Sequence, residues 1–148
     1  MGTAKLIDAF EEGGRDFIVV NSVKGGSLLN SMLKMKVTHL PVHEACNMMG
    51  QLLKILQSLH AKHIKHAKIT IDSVTVIRRR RESDKLYLFD FSQATIVQDQ
   101  GVEDRVYSAF ASPKKLAGKA KSHQLDDELS DDIYSTGCLI FQLINGVS

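Results

Sequence analysis

The densest concentration of chemical potential in the chain is Arg78-Arg79-Arg80-Arg81. Four guanidinium groups in a row can dock an acidic partner, a phosphopeptide or nucleic acid, or can stand as a solvated charged tip. No aromatic side chain interleaves with the run, so the stacking platform of a nucleic-acid binder is missing, and the solvated tip is the plainer reading. Tyr107, Ser108 and Ser112 are hydroxyls that could in principle be phosphorylated. Cys46 and Cys138 both fall in apolar-periodic segments, which reads as core filling in a reducing compartment rather than as a disulfide or a reactive thiol. Met1-Gly2 opens the chain, but Leu6 stands where an N-myristoylation signal has Ser or Thr.

The whole chain has 148 residues, 43% hydrophobic and 24% charged, with a formal net charge of +2. That length suits one domain with a real core, and that composition suits a soluble globular protein. So small a charge excess gives little reason to expect nucleic-acid binding. No apolar run approaches the ~20 residues that cross a bilayer, so no membrane partner is expected.

Local patterns place the elements. Leu6 to Phe10 and Asp16 to Asn21 read as strands around the turn Glu11-Glu12-Gly13-Gly14-Arg15. Phe17-Ile18-Val19-Val20 is apolar on successive residues, which predicts a strand buried on both faces. Gly25-Gly26 breaks that strand, and Ser27 can cap a short helix through Leu28, Leu29, Met32 and Leu33. Pro41 suits the first turn of a longer helix. Its stripe of Val42, Ala45, Met49, Leu52, Leu53, Leu56 and Leu59 ends near His60. Short strands are expected at Val74 to Ile77 and Leu86 to Phe89, and no clear period runs from Gln98 to about Leu129. A loop that long is usually functional. Ser130 is placed to cap a final helix carrying Ile133, Cys138, Phe141 and Ile144, with Gly146 as its stop.

This order resembles the large lobe of a protein kinase, and the junction residues carry the likeness. Leu59-His60-Ala61-Lys62-His63-Ile64-Lys65-His66 resembles the approach to the catalytic loop. Leu86-Tyr87-Leu88-Phe89-Asp90-Phe91-Ser92 is similar to the strand and D-F-G of the family, and Asp132-Ile133-Tyr134-Ser135-Thr136-Gly137 to its central helix start. The implied class is α+β: an incomplete kinase-like large lobe, mainly helical with short β-hairpins. Residues 1–24 would be the last small-lobe strands and hinge, and 25–148 the large lobe as far as the central helix. The family's Gly-rich loop and strand Lys would precede residue 1, and its later helices would follow residue 148. A narrower likeness is to the Bub family of spindle-checkpoint kinases, through Gly26-Ser27-Leu28-Leu29-Asn30, Ser108-Ala109-Phe110 and Asp90-Phe91-Ser92-Gln93-Ala94.

What the resemblance implies about chemistry is mostly loss. The family's loop reads H-R-D-x-K-x-x-N, supplying a base, a phosphate-facing lysine and a metal-holding asparagine. Here it is His66-Ala67-Lys68-Ile69-Thr70-Ile71-Asp72-Ser73. Lys68 stands at the base position with a reference pKa of ~10.4 and cannot act as a base at neutral pH. It could hold a phosphate as a point charge, although a solvated lysine is the simpler reading. Thr70 replaces the lysine, Ser73 the asparagine, and Asp72 is one residue out of register. Asp90 keeps the type of a magnesium ligand and is a weak candidate. Its alternative is a turn carboxylate accepting backbone N–H groups. No metal site and no cofactor are expected.

His66 and Phe91 are expected to pack on the central helix, and Asp132 to accept hydrogen bonds from the loop backbone or to serve as a helix-start carboxylate. Ser112-Pro113-Lys114 stands where the family has A-P-E, so that glutamate's ion pair cannot form. The position of the arginine that reads loop phosphorylation is Ala67. The expected function is a catalytically inactive pseudokinase acting as an intracellular scaffold, cytoplasmic or nuclear, such as in a kinetochore or checkpoint assembly. Its partner would be a protein, or the missing kinase segments, covering the large lobe; an acidic partner at Arg78, Arg79, Arg80 and Arg81 is the further option. The alternative is an unorthodox serine/threonine kinase completed by segments outside this chain.

Overall fold

A computed structural model describes residues 2–23, 26–78, 84–97, 110–116 and 125–146. Strand β1 (Leu6–Glu12) turns at Gly13 and Gly14 into β2 (Arg15–Val20). Both glycines have positive φ, 59° and 72°, the left-handed pair whose twist matches a two-residue hairpin. Phe10 stacks on Phe17 at 5.3 Å. The expectation that Phe17-Ile18-Val19-Val20 is buried on both faces fails. Ile18 is 72% exposed, and every residue of both strands faces solvent, because the hairpin is a sheet of only two strands.

Helix α1 (Leu28–Met35) starts where Ser27 caps it, with the Ser27 Oγ accepting from the Asn30 N–H at 3.2 Å. Helix α2 (Val42–His60) follows Pro41 and buries Ala45, Met48, Met49, Leu52, Ile55 and Leu56. Val42 and Leu53 fall outside the buried arc. So does Cys46, which faces solvent rather than filling the core. It lies one residue, about 100° of helix rotation, past the buried Ala45.

Beyond α2 come β3 (Ile64–Lys65), the hairpin β4 (Val74–Ile77) and β5 (Lys85–Leu88), and β6 (Thr95–Ile96), which pairs with β3. The β3–β6 pair has no counterpart in the sequence pattern, since two-residue strands carry no period. The Gln51 side chain clips the hairpin to α2: its Nε2 donates to the Asp84 carbonyl at 2.9 Å and its Oε1 accepts from the Leu86 N–H at 3.0 Å. Gly2 lies against the same hairpin, where the Leu88 N–H donates to its carbonyl at 2.7 Å. A Cβ on Gly2 would stand 2.5 Å from the Leu86 carbonyl oxygen, so only glycine fits this approach.

Helix α3 (Pro113–Leu116) is a single turn inside the stretch expected to be irregular. Helix α4 (Leu125–Asn145) begins six residues earlier than a Ser130 cap would start it, so Ser130 lies within the helix. It stops at Gly146, where φ is 117°. Leu139 and Leu143 are fully buried against α2, and the Leu143 carbonyl accepts from the Leu40 N–H at 2.7 Å. Ile133, Tyr134 and Phe141 point outward, with Phe141 69% exposed. One core joins α1, α2, β4, β5 and α4, with Ile69 and Ile71 of the intervening loop inside it. Among the described residues, no helix is long and apolar enough to cross a membrane.

Candidate functional site

The loop from His66 to Ser73 leaves β3 and is fixed by the first half of α4. Asp132 is the fixing residue. Its Oδ2 accepts from the His66 N–H at 2.8 Å and its Oδ1 from the Ala67 N–H at 2.9 Å, while the His60 Nε2 lies 3.0 Å from Oδ2. Ala67 has φ 62°, a left-handed backbone that a β-carbon disfavours, so the carboxylate holds the chain in a bend it would not choose.

His66 is completely buried. Its Nε2 meets the Phe89 carbonyl at 3.1 Å, and its Nδ1 accepts from the Lys68 N–H at 3.3 Å. A carbonyl on one nitrogen and an N–H on the other require the neutral tautomer with the proton on Nε2. The ring packs edge-on against Phe91 at 4.8 Å. Burial lowers the His66 pKa below its ordinary value, against the opposing pull of Asp132, the Phe89 carbonyl and Asp90.

That shift gives a pH signature. A depressed histidine pKa means that the unfolded chain takes up the proton first as pH falls. His66 therefore leaves stability intact above pH ~6.5 and removes it progressively below, with a limiting slope of ~1.4 kcal/mol per pH unit. The urea midpoint should fall between pH 7.5 and pH 5.5, with a shallower slope in His66→Phe. Equal slopes in the two proteins, with the His66 ring titrating normally by NMR, would refute the assignment.

Lys68 leans across to Asp90. Its Nζ is 2.6 Å from Asp90 Oδ2, and Ser92 Oγ donates to Asp90 Oδ1 at 2.6 Å. Hydrogen bonds from Lys68 and then from Ser92 hold the Asp90 carboxyl below its usual range, overcoming a smaller desolvation effect. Asp90 itself sits at φ 62°. Ser73 turns inward: its Oγ accepts from the Thr70 N–H and donates to the Thr70 carbonyl, both at 2.9 Å. Asp72 points to the other side, where its Oδ1 accepts from Ser27 Oγ at 3.1 Å.

This set does not fit a magnesium ion. It offers Asp90, a carboxylate already paired with an ammonium group, and Ser73, whose oxygen is closed on the Thr70 backbone, while Asp72 is turned to Ser27. Among the described residues, no three histidine, cysteine or acidic side chains come together as a metal site.

The structure brings His66, Lys68, Asp90, Phe91 and Asp132 together, whereas the Asp72 and Ser73 side chains are turned to structural bonds, Ser73 with the Thr70 backbone. Arg78 lies outside this cluster, 3.9 Å from Glu44 across an exposed surface. Arg79, Arg80, Arg81, Tyr107 and Ser108 lie outside the described residues. Sequence reasoning missed a second anchor. Lys65 is almost fully buried, and its Nζ contacts Asp131 Oδ2 at 2.9 Å, while Ser112 Oγ donates to Asp131 Oδ1. A lysine this deeply buried needs such a partner. The signal was faint: Lys65 is one of three lysines in the mixed run from His60 to Ile69, and only the two adjacent acids before Ile133 offered a counter-charge.

The profile of the protein kinase domain family matches residues 3–148. The chain is 24% identical over 144 residues to ribosomal protein S6 kinase alpha-6 of Mus musculus, covering 95% of this chain and 18% of that protein. It is 26% identical over 137 residues to the serine/threonine-protein kinase PknJ of Mycobacterium tuberculosis, covering 90% and 22%. It is also 26% identical over 147 residues to serine/threonine-protein kinase D3 of Homo sapiens, covering 98% and 16%. It thus spans about a fifth of the length of these curated relatives. In fold it is similar to the Rad53 kinase domain, with a TM-score of 0.71 at 16% identity over 97% of this chain and 45% of that one. With nearly every residue inside the matched profile and the loop anchored on α4 as described, the chain belongs to the protein kinase domain family.

Proposed function

We propose that this kinase-family chain is a pseudokinase, a non-catalytic module that serves as a protein-interaction scaffold. The observation that carries the reading is the Lys68–Asp90 ion pair. The side chain at the family's base position is a cation, and it occupies the carboxylate that would otherwise receive a metal. A kinetochore or checkpoint assembly is the setting to which the Bub likeness of residues 26–30 and 90–94 points.

A second reading, an active serine/threonine kinase completed by segments outside this chain, is favoured by a different observation. Two of the relatives named above are serine/threonine-protein kinases. The Asp132 clamp and the His66–Phe91 packing also keep the loop ordered.

Nucleotide binding with and without magnesium separates the two. Ligand that binds the folded state raises the melting temperature by mass action. The pseudokinase reading expects a shift below about 1 °C with millimolar ATP and no further shift on adding magnesium. A magnesium-dependent rise of several degrees, lost in Asp90→Asn, would overturn it in favour of the second reading.

A further inference from the structure

An apolar groove runs between α1, the first half of α2 and β4. Its volume is about 400 Å³, within the ~300–1,000 Å³ typical of ligand pockets. Met32, Leu40 and Met48 are buried in its floor, and Met35 and Ile77 are more open on its walls. Three methionines among so few positions make an adaptable surface, since an unbranched thioether side chain repacks around differently shaped partners at small cost. Among the described residues lining the groove, Lys34 and Arg78 are the ionisable ones, so this lining carries two positive charges and no negative one. Both side chains are exposed, and among the described residues the acid facing Arg78, Glu44, lies at a loose 3.9 Å. A pair that open and long is worth little and leaves the guanidinium able to take another carboxylate.

We propose that this groove is a docking site for an extended peptide segment of a partner protein, with apolar anchor residues flanked by acidic ones. Apolar side chains of the segment would enter the methionine floor, and carboxylates beside them would meet Lys34 and Arg78. Apolar anchors supply affinity in such modes, while complementary charge sets register and rejects basic segments. The inference rests on the scaffold reading and gives its partner a chemistry. No groove residue belongs to the 66–73 loop or touches Asp90 through a described contact, so the nucleotide test and the peptide test can fail independently. Arg79, Arg80 and Arg81 follow Arg78 in the sequence, and the site is defined without them.

Fluorescence anisotropy of the full chain with a labelled synthetic peptide, leucine anchors flanked by glutamates, reads the site directly. Saturable binding is expected, weakened roughly tenfold or more by Lys34→Glu with Arg78→Glu, and similarly by Met35→Asp. The charge-reversed double variant should in turn prefer a peptide whose glutamates are replaced by lysines. All three positions are exposed, and circular dichroism would establish that the variants stay folded. Absence of saturable binding to the folded chain would overturn the proposal, as would binding indifferent to these substitutions. So would binding that persists when the leucines become alanine and is matched by single-stranded DNA, because that is attraction to any polyanion rather than docking.

Discussion

Incubated with ATP and magnesium, this chain is expected to transfer no phosphate to protein substrates, and Lys68→Asp is expected to leave that unchanged. Phosphoryl transfer depends on placement and charge, and a positioned base alone contributes ~10²–10⁴-fold. Restoring a carboxylate at residue 68 supplies one of these parts and disturbs another. The ammonium now 2.6 Å from Asp90 would be replaced by a second acid facing the same site. An aspartate ends two atoms short of a lysine, so it would restore a carboxylate at the base position while leaving Asp90 without the cation it now pairs with. Thr70 would still occupy the family's lysine position, and Ser73 would still be closed on the Thr70 backbone. Radiolabel transfer by protein purified free of other kinases is the measurement. Turnover in either protein that disappears in Asp90→Asn would show that the loop retains a working arrangement.

Replacing Asp132 by alanine is expected to cost about 3–5 kcal/mol of stability, close to the whole margin of a domain whose net stability is ~5–15 kcal/mol. The carboxylate is 1% exposed and takes two backbone N–H groups and the His60 ring. Hydrogen bonds to a charged group are worth ~1.5–3 kcal/mol each, and alanine leaves the buried His66 N–H and the half-buried Ala67 N–H without the acceptor they have now. The φ of 62° at Ala67 makes the loss larger, because the bend is stabilised by those bonds. Asp132→Asn keeps one acceptor oxygen and should fall between the two. Urea unfolding followed by circular dichroism gives the numbers, and a loss below about 1 kcal/mol in the alanine variant would mean that the loop holds its shape by other means.

The sequence by itself determined the elements whose cause is local. The α2 stripe recurs at steps of three and four, Gly13-Gly14 can form a left-handed turn cheaply, Ser27 offers an N-cap oxygen, and Gly146 ends α4. Each acts through its own few neighbours, so each is visible along one dimension. The family likeness was also legible, since it depends on the order of three short motifs, and so was the absence of the usual loop residues. Tertiary structure decided everything that depends on which partners arrive from far along the chain. The β2 run Phe17-Ile18-Val19-Val20 has the pattern of a buried strand, yet lies exposed, because burial is a property of what covers a strand and not of its own residues. Cys46 sits in an apolar segment but on its solvent side, a matter of helix rotation against α4 and β5. Lys68 could have been a solvated lysine. It is instead bonded to a carboxylate 22 positions on, because the loop and the turn after β5 converge. The buried Lys65–Asp131 contact spans 66 residues. A buried charge is tolerated only where the fold delivers its counter-charge, and no local pattern states where that will be.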